Sequence, residues 1–348
     1  MHFSVEYDAG HTIEGYLVPD GFTESPSIVV EGAEGKLIEI PCDRPRDMIR
    51  AAGRHDTGIV GFHIGSDLIP DLPDRRELTI WDARTGLLIY RRPLPAGQIE
   101  RKLLRLETGM SPQVALDRAL SRHFQYAVAG LEHLGHETTQ QVFLMLNVNS
   151  VYASGHLLMR NYEDHLDNGL SAIALLRPPH VDLAERLVLF SQPSESALDE
   201  VAERDLMLMS AAFDHFGGTD LSSEKAISAA IRRAPTMALS VLRSPLMQQL
   251  NALRPGDPPE RAAMPRTLDL LSRFDVVGST DDPLGFAEQV GALLGLSPDD
   301  IPVVVPPQSL VELAERVRLI PAAERLIEED VVLHHYIEQA RRSATEAI

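Results

Sequence analysis

The sequence predicts an α/β protein in two parts: a small all-β sandwich, followed by a larger domain built on a parallel sheet. Up to about residue 92, short strand-like runs are separated by Gly and Asp turns. From Leu103 onward, short apolar runs alternate with segments of helical spacing, which implies right-handed crossovers between parallel strands. We therefore predict domains at 1–93 and 98–348, with a helical insertion at about 199–253 in the second.

The first part is predicted to be antiparallel because its runs are short and closely spaced. Gly and Asp turns such as Asp20-Gly21 and Thr85-Gly86 separate the runs. The predicted strands are 11–18, 27–31, 36–40, 59–64, 77–82 and 87–90. Two prolines and a glycine within 93–97 then form a natural linker between the two parts.

The second part is predicted to place polar groups at the carboxyl ends of its strands. The predicted strands are 103–106, 124–131, 150–153, 171–176 and, as the last strand, 276–278. The predicted helices are 114–123, 137–146, a segment around 159–166, 284–294 and 323–342. Three strand ends carry polar residues, at 107–111, at 154–156 and at Arg177. Ligands of parallel sheets bind beyond these ends, so we expect a site there.

Composition excludes several classes of function. The net charge is −19, which makes binding to nucleic acid or to an anionic membrane surface improbable. The chain has no apolar run long enough for a spanning helix and no signal-peptide pattern at its start, so we predict a cytoplasmic protein. Only three lysines occur, so any anion site must be built from arginine.

Cysteine and histidine usage gives no indication of a metal. Cys42 is the single cysteine, so an intrachain disulfide is excluded, and we interpret it as an incidental residue in a loop-like stretch. His133 and His136 have a spacing that could share a helix face and bind zinc. No HExxH motif accompanies them and no third ligand is indicated, so we expect no metal.

Residues 11–90 resemble a β-sandwich module attached to bacterial glycosyltransferases and sulfotransferases of surface-polysaccharide pathways. The residues that carry this resemblance are 14–18 (Glu-Gly-Tyr-Leu-Val), 43–47 (Asp-Arg-Pro-Arg-Asp) and 61–64 (Gly-Phe-His-Ile). The module implies a pathway context and no chemistry of its own. Its turn-rich loop at 42–47 is either a ligand loop or a connection whose Arg and Asp residues pair locally.

From about residue 100 to 340, the order of elements resembles the carbohydrate sulfotransferases, especially the uronyl and heparan 2-O-sulfotransferase group. Residues 107–111, Glu-Thr-Gly-Met-Ser, stand where this family has a loop of the type Lys-Thr-Gly-x-Thr-Ser. The resemblance implies a P-loop-type fold and binding of the donor 3′-phosphoadenosine-5′-phosphosulfate (PAPS) by Thr108, Gly109 and Ser111. Glu107 occupies the position of the family's lysine and inverts its charge, and Arg105 or Arg186 is the arginine that could fold into the lysine's place.

Two further segments carry the resemblance. Ser154-Gly155-His156 matches a Gly-His pair of the family and implies that His156 is the catalytic base for a sugar hydroxyl. The residues that follow 171–176 match the family's Arg-Asp-Pro-x-x-Arg-x-x-Ser, which implies that Arg177 holds the 3′-phosphate of the cofactor. Asp182 and Glu185 stand at the family's Arg and Ser positions, and Arg186 is adjacent and could substitute.

The matching segments also have simpler interpretations. Ser111 would equally cap an ordinary helix start, and so would Thr138 in a second candidate loop at 135–139. His156 could be a histidine whose hydrogen bonds are satisfied locally at a strand end.

Three functions follow from the residues and the resemblance. The first is a PAPS-dependent transferase that sulfates a sugar of a bacterial surface polysaccharide or lipopolysaccharide. The second is a non-catalytic protein that binds a glycan or a partner, and the third is a transferase that uses another activated donor. The acidic balance disfavours a densely anionic glycan acceptor. The sequence is compatible with an oligomer, and it leaves open whether the chain is an enzyme.

Overall fold

The protein is a mixed α/β structure with one parallel sheet and two antiparallel sheets. The computed structural model describes residues 1–31, 35–93, 97–145, 148–195, 198 and 201–346. Within these residues, no helix combines the length and the apolar character needed to cross a membrane.

Two four-stranded antiparallel sheets form the first part. Their orders are β1-β2-β6-β5 and β4-β3-β7-β8. The strands are His2–Asp8 (β1), Thr12–Val18 (β2), Ser27–Glu31 (β3), Leu37–Pro41 (β4), Arg44–Pro45 (β5), Ile59–Gly65 (β6), Thr79–Asp82 (β7) and Leu88–Arg91 (β8). One short helix, Asp47–Ala51 (α1), follows β5. The six predicted runs lie on six of these strands. β1 was not predicted because it lies at a sheet edge and buries few side chains, with Phe3 the only fully covered one.

The interpretation of Cys42 as an incidental loop residue is wrong. Its backbone N–H donates to the Pro26 carbonyl at 3.0 Å, which extends the pairing just beyond β4. Its side chain is only 5% exposed. Burial, followed by the charges of Asp82 and Asp43, raises the pKa of the thiol to about 12. Cys42 is therefore a packed side chain with an unreactive thiol.

The predicted parallel sheet is confirmed. Its strands are Lys102–Leu106 (β9), Tyr126–Val128 (β10), Val151–Gly155 (β11), Leu170–Leu176 (β12) and Val276–Ser279 (β13). The order β10-β11-β9-β12-β13 places β9, the first of these strands in the chain, at the centre. Because connections leave the centre in both directions, the loop that follows β9 lies at the topological switch point, where open α/β sheets bind ligands.

The helices of the second part include those of the predicted insertion. They are Val114–Ser121 (α2), His136–Phe143 (α3), Asp164–Asp167 (α4), Pro179–Ser191 (α5), Glu203–Phe216 (α6), Glu224–Arg233 (α7), Thr236–Ser240 (α8), Pro245–Asn251 (α9), Met264–Ser272 (α10), Pro283–Leu294 (α11), Gln308–Arg318 (α12), Pro321–Leu326 (α13) and Glu328–Glu346 (α14). α6 to α9 fall within the predicted insertion, whose first residues, 199 and 200, lie outside the described part of the chain.

Three predicted elements of the second part differ from the structure. The predicted strand 124–131 is reduced to β10, because residues 131–133 form a 3₁₀ turn. The predicted helix around 159–166 is replaced by a 3₁₀ turn at 159–161 and the short α4. The predicted helix 323–342 is two helices, because the backbone leaves the helical conformation at the buried Ile327. Acidic residues 328–330 then begin α14, where the helix dipole favours negative charge.

The chain divides into two compact units. The first contains residues 1–102, 120–129 and 134–153, and the second contains 103–119, 130–133 and 154–348. Within the first unit, the Phe3 and Tyr126 rings stack at 6.4 Å, and Gln141 Nε2 donates to the Phe3 carbonyl at 3.1 Å. This unit thus reaches past residue 93. The predicted linker includes residues 94–96, which lie outside the described residues, and the predicted domain boundary stays a prediction.

Candidate functional site

The loop that follows β9 is capped by a carboxylate of its own. Glu107 Oε1 accepts from the backbone N–H groups of Thr108 at 3.2 Å and Gly109 at 3.4 Å. Glu107 Oε2 accepts from the backbone N–H of Gln113 at 2.8 Å. Loops of this kind bind phosphate by pointing free backbone N–H groups at it. In this loop, those donors face an internal anion.

Arg105 neutralises that anion from within the protein. Its Nη1 donates to Glu107 Oε2 at 2.8 Å, while Nε and Nη2 hold the two carboxylate oxygens of Asp117 on α2 at 2.7 and 2.8 Å. Arg105 is only 1% exposed. Arg105, one of the two arginines expected to replace the family's lysine, therefore lies in a buried network with two carboxylates. Its charge offsets theirs, which leaves none over for a donor phosphosulfate.

A second carboxylate occupies the other side of the same loop. Glu185 on α5 accepts from the backbone N–H of Met110 at 3.0 Å and forms an ion pair with Arg177. Arg177 Nη2 also donates to the Ser111 carbonyl at 2.9 Å. A Cβ at Gly109 would overlap the Arg177 guanidinium, so a side chain at position 109 would have to displace the arginine where it crosses the loop. Arg177 thus reaches the predicted loop, but its charge is already paired with Glu185.

The remaining polar side chains of the loop hold it to neighbouring segments. Thr108 Oγ1 donates to the Leu175 carbonyl on β12 at 2.9 Å. The amide of Gln113 pairs with the backbone of Val304, donating to its carbonyl and accepting from its N–H, each at 3.0 Å. The Thr108 hydroxyl predicted to bind cofactor therefore serves to fix the loop, and the whole segment is firmly anchored.

His156 follows β11, and its ring is held by Gln249, a residue that the sequence analysis did not single out. The His156 backbone N–H donates to Glu132 Oε2 at 2.9 Å. Gln249 Nε2 on α9 lies 3.3 Å from His156 Nδ1 and donates to the Glu107 carbonyl at 2.6 Å. The Glu107 carbonyl can only accept a hydrogen bond, so the group of Gln249 that faces it is the NH₂. The same NH₂ then donates to His156 Nδ1, which must be the acceptor. The neutral ring therefore carries its proton on Nε2.

The charge state of His156 follows from its surroundings. Burial, followed by the positive charge of Arg186, lowers the pKa of the imidazole, while Asp205, Glu132 and Glu107 oppose that shift. The ring is therefore neutral near pH 7. In this tautomer, Nε2 donates a hydrogen bond and Nδ1 is already engaged by Gln249. The ring thus lacks the free acceptor nitrogen that a general base requires.

The spaces beside the loop are small. One space of about 30 Å³ lies between the loop and His156, and its charged lining residues are Glu107, Glu132 and Asp205. Another of about 10 Å³ is lined by Thr108, Arg177 and Asp182, among others. These volumes accommodate one or two water molecules. Neither space has room for a nucleotide, and the larger of the two has an acidic lining.

A much larger pocket of about 380 Å³ is also lined by His156. Its volume lies in the range of small-molecule sites. Arg186 lines it, with Nε bound to Asp182 Oδ2 at 2.8 Å and Nη1 near the Val241 carbonyl at 3.4 Å. Gln249 also lines it, and its Oε1 is buried without a hydrogen-bond partner among the described residues. The structure thus brings two predicted site residues, His156 and Arg186, to this pocket.

The described residues contain no group of three or more His, Cys, Asp and Glu side chains placed to hold a metal ion. Comparisons with protein-family models, curated proteins and solved structures found no match to this chain. The geometry of the second unit is therefore the basis on which a function can be proposed.

Proposed function

We propose that this chain is a non-catalytic glycan-binding protein on a degenerate sulfotransferase-like fold, and that the 380 Å³ pocket beside His156 holds the sugar. The observation that carries the proposal is the capping of the loop after β9 by Glu107 and Glu185. A position that would bind the donor's phosphosulfate in a transferase is closed by the protein's own carboxylates.

The arrangement of the sheet supports the sulfotransferase-like ancestry. The loop follows the first and central strand of a parallel sheet. Arg177 crosses this loop from the end of β12, and His156 lies at the end of β11. These are the positions that the resemblance implies for the cofactor loop, the phosphate anchor and the base. We therefore regard the fold as P-loop-type and its transfer machinery as lost.

Three features oppose sulfuryl transfer from PAPS. The backbone donors of the loop are occupied, Arg105 and Arg177 are paired with carboxylates, and Nδ1 of His156 is engaged by Gln249. Placing a phosphosulfate there would require two carboxylates to leave. Losing preorganised stabilisation of a developing charge typically costs about 3–4 kcal/mol, a factor of about 10²–10³ in rate.

The large pocket has the mixture of groups that sugars require. Sugar hydroxyls both donate and accept, and the lining offers the His156 ring, the Gln249 amide and the hydroxyls of Thr236 and Ser240. Met209 and other apolar side chains cover the remaining surface, where the CH face of a sugar ring can pack.

Thermal unfolding tests the proposal. A ligand that binds only the native state raises Tm in proportion to ln(1 + [L]/Kd). We expect 3′-phosphoadenosine-5′-phosphate, the nucleotide product of PAPS, to leave Tm unchanged, and one or more members of a panel of neutral oligosaccharides to raise it. A nucleotide-sugar in the same assay tests the third hypothesis, a transferase with another donor.

A rise in Tm with 3′-phosphoadenosine-5′-phosphate would contradict the proposal and support the PAPS-dependent transferase. In that case Arg177→Ala should weaken nucleotide binding more than Arg186→Ala, because Arg177 is the arginine at the loop. Equal effects of the two substitutions would indicate that the nucleotide binds away from the loop.

A further inference from the structure

The large pocket has a charge balance opposite to that of the chain. The whole sequence has 51 Asp and Glu residues against 32 Lys and Arg residues. The lining of the pocket has three arginines, Arg186, Arg204 and Arg254, and one carboxylate, Asp205. A locally positive cavity in a strongly acidic protein focuses attraction on anionic ligands.

The three arginines differ in how far they are available to a ligand. Arg186 is 4% exposed and bound to Asp182, so its charge is largely balanced inside the protein. Arg204 pairs with the adjacent Asp205 at 3.0 Å and is 52% exposed, which makes this a weak surface pair. Arg254 is exposed and forms no ion pair with a residue that the structure describes. Arg254 is therefore the cation most available to a ligand, and Arg204 is the next.

Gln249, which lines the same pocket, has a buried amide oxygen that lacks a partner among the described residues. Gln249 is 2% exposed, and its Oε1 forms no hydrogen bond among the described residues. A buried acceptor without a partner destabilises the protein, and a ligand hydroxyl that donates to it would remove that penalty. The pocket therefore combines an acceptor for a hydroxyl with cations for an acid.

We infer that the ligand of this pocket is a sugar with a single anionic group, a carboxylate or a phosphate monoester, held by Arg254 and Arg204 while a hydroxyl donates to Gln249. The inference rests on the proposed function, which it makes more specific. One anionic group is also what the rest of the molecule permits, because a densely charged glycan would be repelled by the net charge of −19.

Isothermal titration calorimetry of the full chain tests this inference with three probes: glucose, glucuronate and glucose 6-phosphate. We expect at least one acidic sugar to bind about tenfold more tightly than glucose, since a hydrogen bond to an ionised group is stronger than one between neutral groups. The advantage should shrink as salt is raised, because Arg254 and Arg204 are exposed. Comparing glucuronate with glucose 6-phosphate identifies the acid.

Matched variants locate the effect. Arg254→Gln should remove most of the preference for the acidic sugar, whereas Arg232→Gln, an exposed arginine on α7 that does not line the pocket, should leave it intact. If glucose binds as tightly as both acidic sugars, this inference is overturned and the proposed function stands. If none of the three binds, the inference is overturned, and the thermal shift with the oligosaccharide panel decides the proposed function separately. If the double variant with Arg254→Gln and Arg204→Gln still prefers an acidic sugar to glucose, the anionic group binds elsewhere. That result would overturn this inference but not the proposed function.

Discussion

The loop after β9 and the pocket beside it share one lining residue, His156, and they differ in how their polar groups are satisfied. In the loop, backbone N–H groups face carboxylates, and each carboxylate has an arginine partner. In the pocket, Gln249 Oε1 lacks a partner among the described residues and Arg254 forms no ion pair with any of them. A ligand gains most where the protein leaves groups unsatisfied. We therefore expect a ligand to bind in the pocket and not at the loop.

The loop also shows how a side chain can hold the backbone of its own loop. The Glu107 carboxylate accepts from backbone N–H groups of the loop, so the backbone keeps its shape without a ligand. The acidic residue at position 107 thus has a structural role, because its carboxylate is the acceptor for the loop's own N–H groups. Under the proposed function, it takes the place of a ligand.

The largest expected effect is from Arg105→Ala. It would remove the Arg105 cation that pairs with the buried Glu107 and Asp117, and breaking such a network costs about 3–5 kcal/mol. Urea unfolding measures the loss, with Arg232→Ala as an exposed control that should change stability by less than about 0.5 kcal/mol. A loss below about 1 kcal/mol for Arg105→Ala would mean that the loop is not held by this network.

The second-largest expected effect is a change in unfolding free energy with pH, on the order of 3 kcal/mol. It is caused by the titration of Asp330, which contacts the helix that carries Gln249. Asp330 accepts from the backbone N–H groups of Leu246 and Met247 at the start of α9. Burial raises its pKa to about 7, with Asp182 adding to the shift and Arg186 opposing it. The native state therefore binds more protons than the unfolded state between about pH 4 and pH 7. Stability from Asp330 should be present below that window and lost as pH rises through it.

The comparison of wild type with Asp330→Asn isolates this titration. The pKa values of His156 and His334 are lowered, so each histidine makes the unfolding free energy increase as pH rises towards 6.5, opposite to the effect of Asp330. Both histidines are present in the variant, so their contribution cancels in the comparison. We expect the difference in unfolding free energy between the two proteins to shrink from pH 5 to pH 8. A difference that stays constant over this range would show that Asp330 is ionised throughout.

A third effect concerns the capping of the loop. Glu107→Gln keeps one acceptor oxygen but removes the charge that faces Arg105 and the backbone donors, so we expect a loss of about 1–3 kcal/mol. Glu132→Gln provides a comparison, because that carboxylate accepts one backbone N–H but lies outside the Arg105 network. If both variants lose the same stability, the network around Glu107 has no special role.

The smallest expected effect is from Gln249→Leu, which tests whether the pocket binds the sugar. The change removes both the free acceptor and the donor to His156 Nδ1, so sugar affinity should fall about tenfold while the fold is retained. Gln289→Leu, on the exposed face of α11, serves as the matched control in calorimetry. Unchanged affinity in Gln249→Leu would remove this residue from the site.

The sequence predicted the sheet well because strand periodicity is local. The runs at 103–106 and 171–176 are short, apolar and bounded by turns, and both became buried strands of the parallel sheet. β1 was not predicted because a strand at a sheet edge needs few apolar residues. The end of α13 at Ile327 was also not predicted, since apolar residues on both sides of it have helical spacing and only tertiary packing ends the helix there.

The site was predicted only in part because its decisive contacts are non-local. His156 and Arg186 were both singled out from the sequence, and both line the large pocket. The role of Gln249 was missed, since its partners Glu107 and His156 lie 142 and 93 residues away along the chain. Glu107 was recognised as unusual, but no spacing rule indicates that its side chain turns back onto the donors of its own loop.

The backbone donors of the loop after β9 are occupied by the protein's own carboxylates. Two-dimensional ¹H–¹⁵N NMR measures this directly through the amide signals of Thr108, Gly109 and Gln113. We expect that these signals do not move on titration with 3′-phosphoadenosine-5′-phosphate, whereas the Gln249 side-chain NH₂ signal moves on titration with a sugar that binds. Saturable shifts of the three loop amides with the nucleotide, in the wild-type protein, would contradict it.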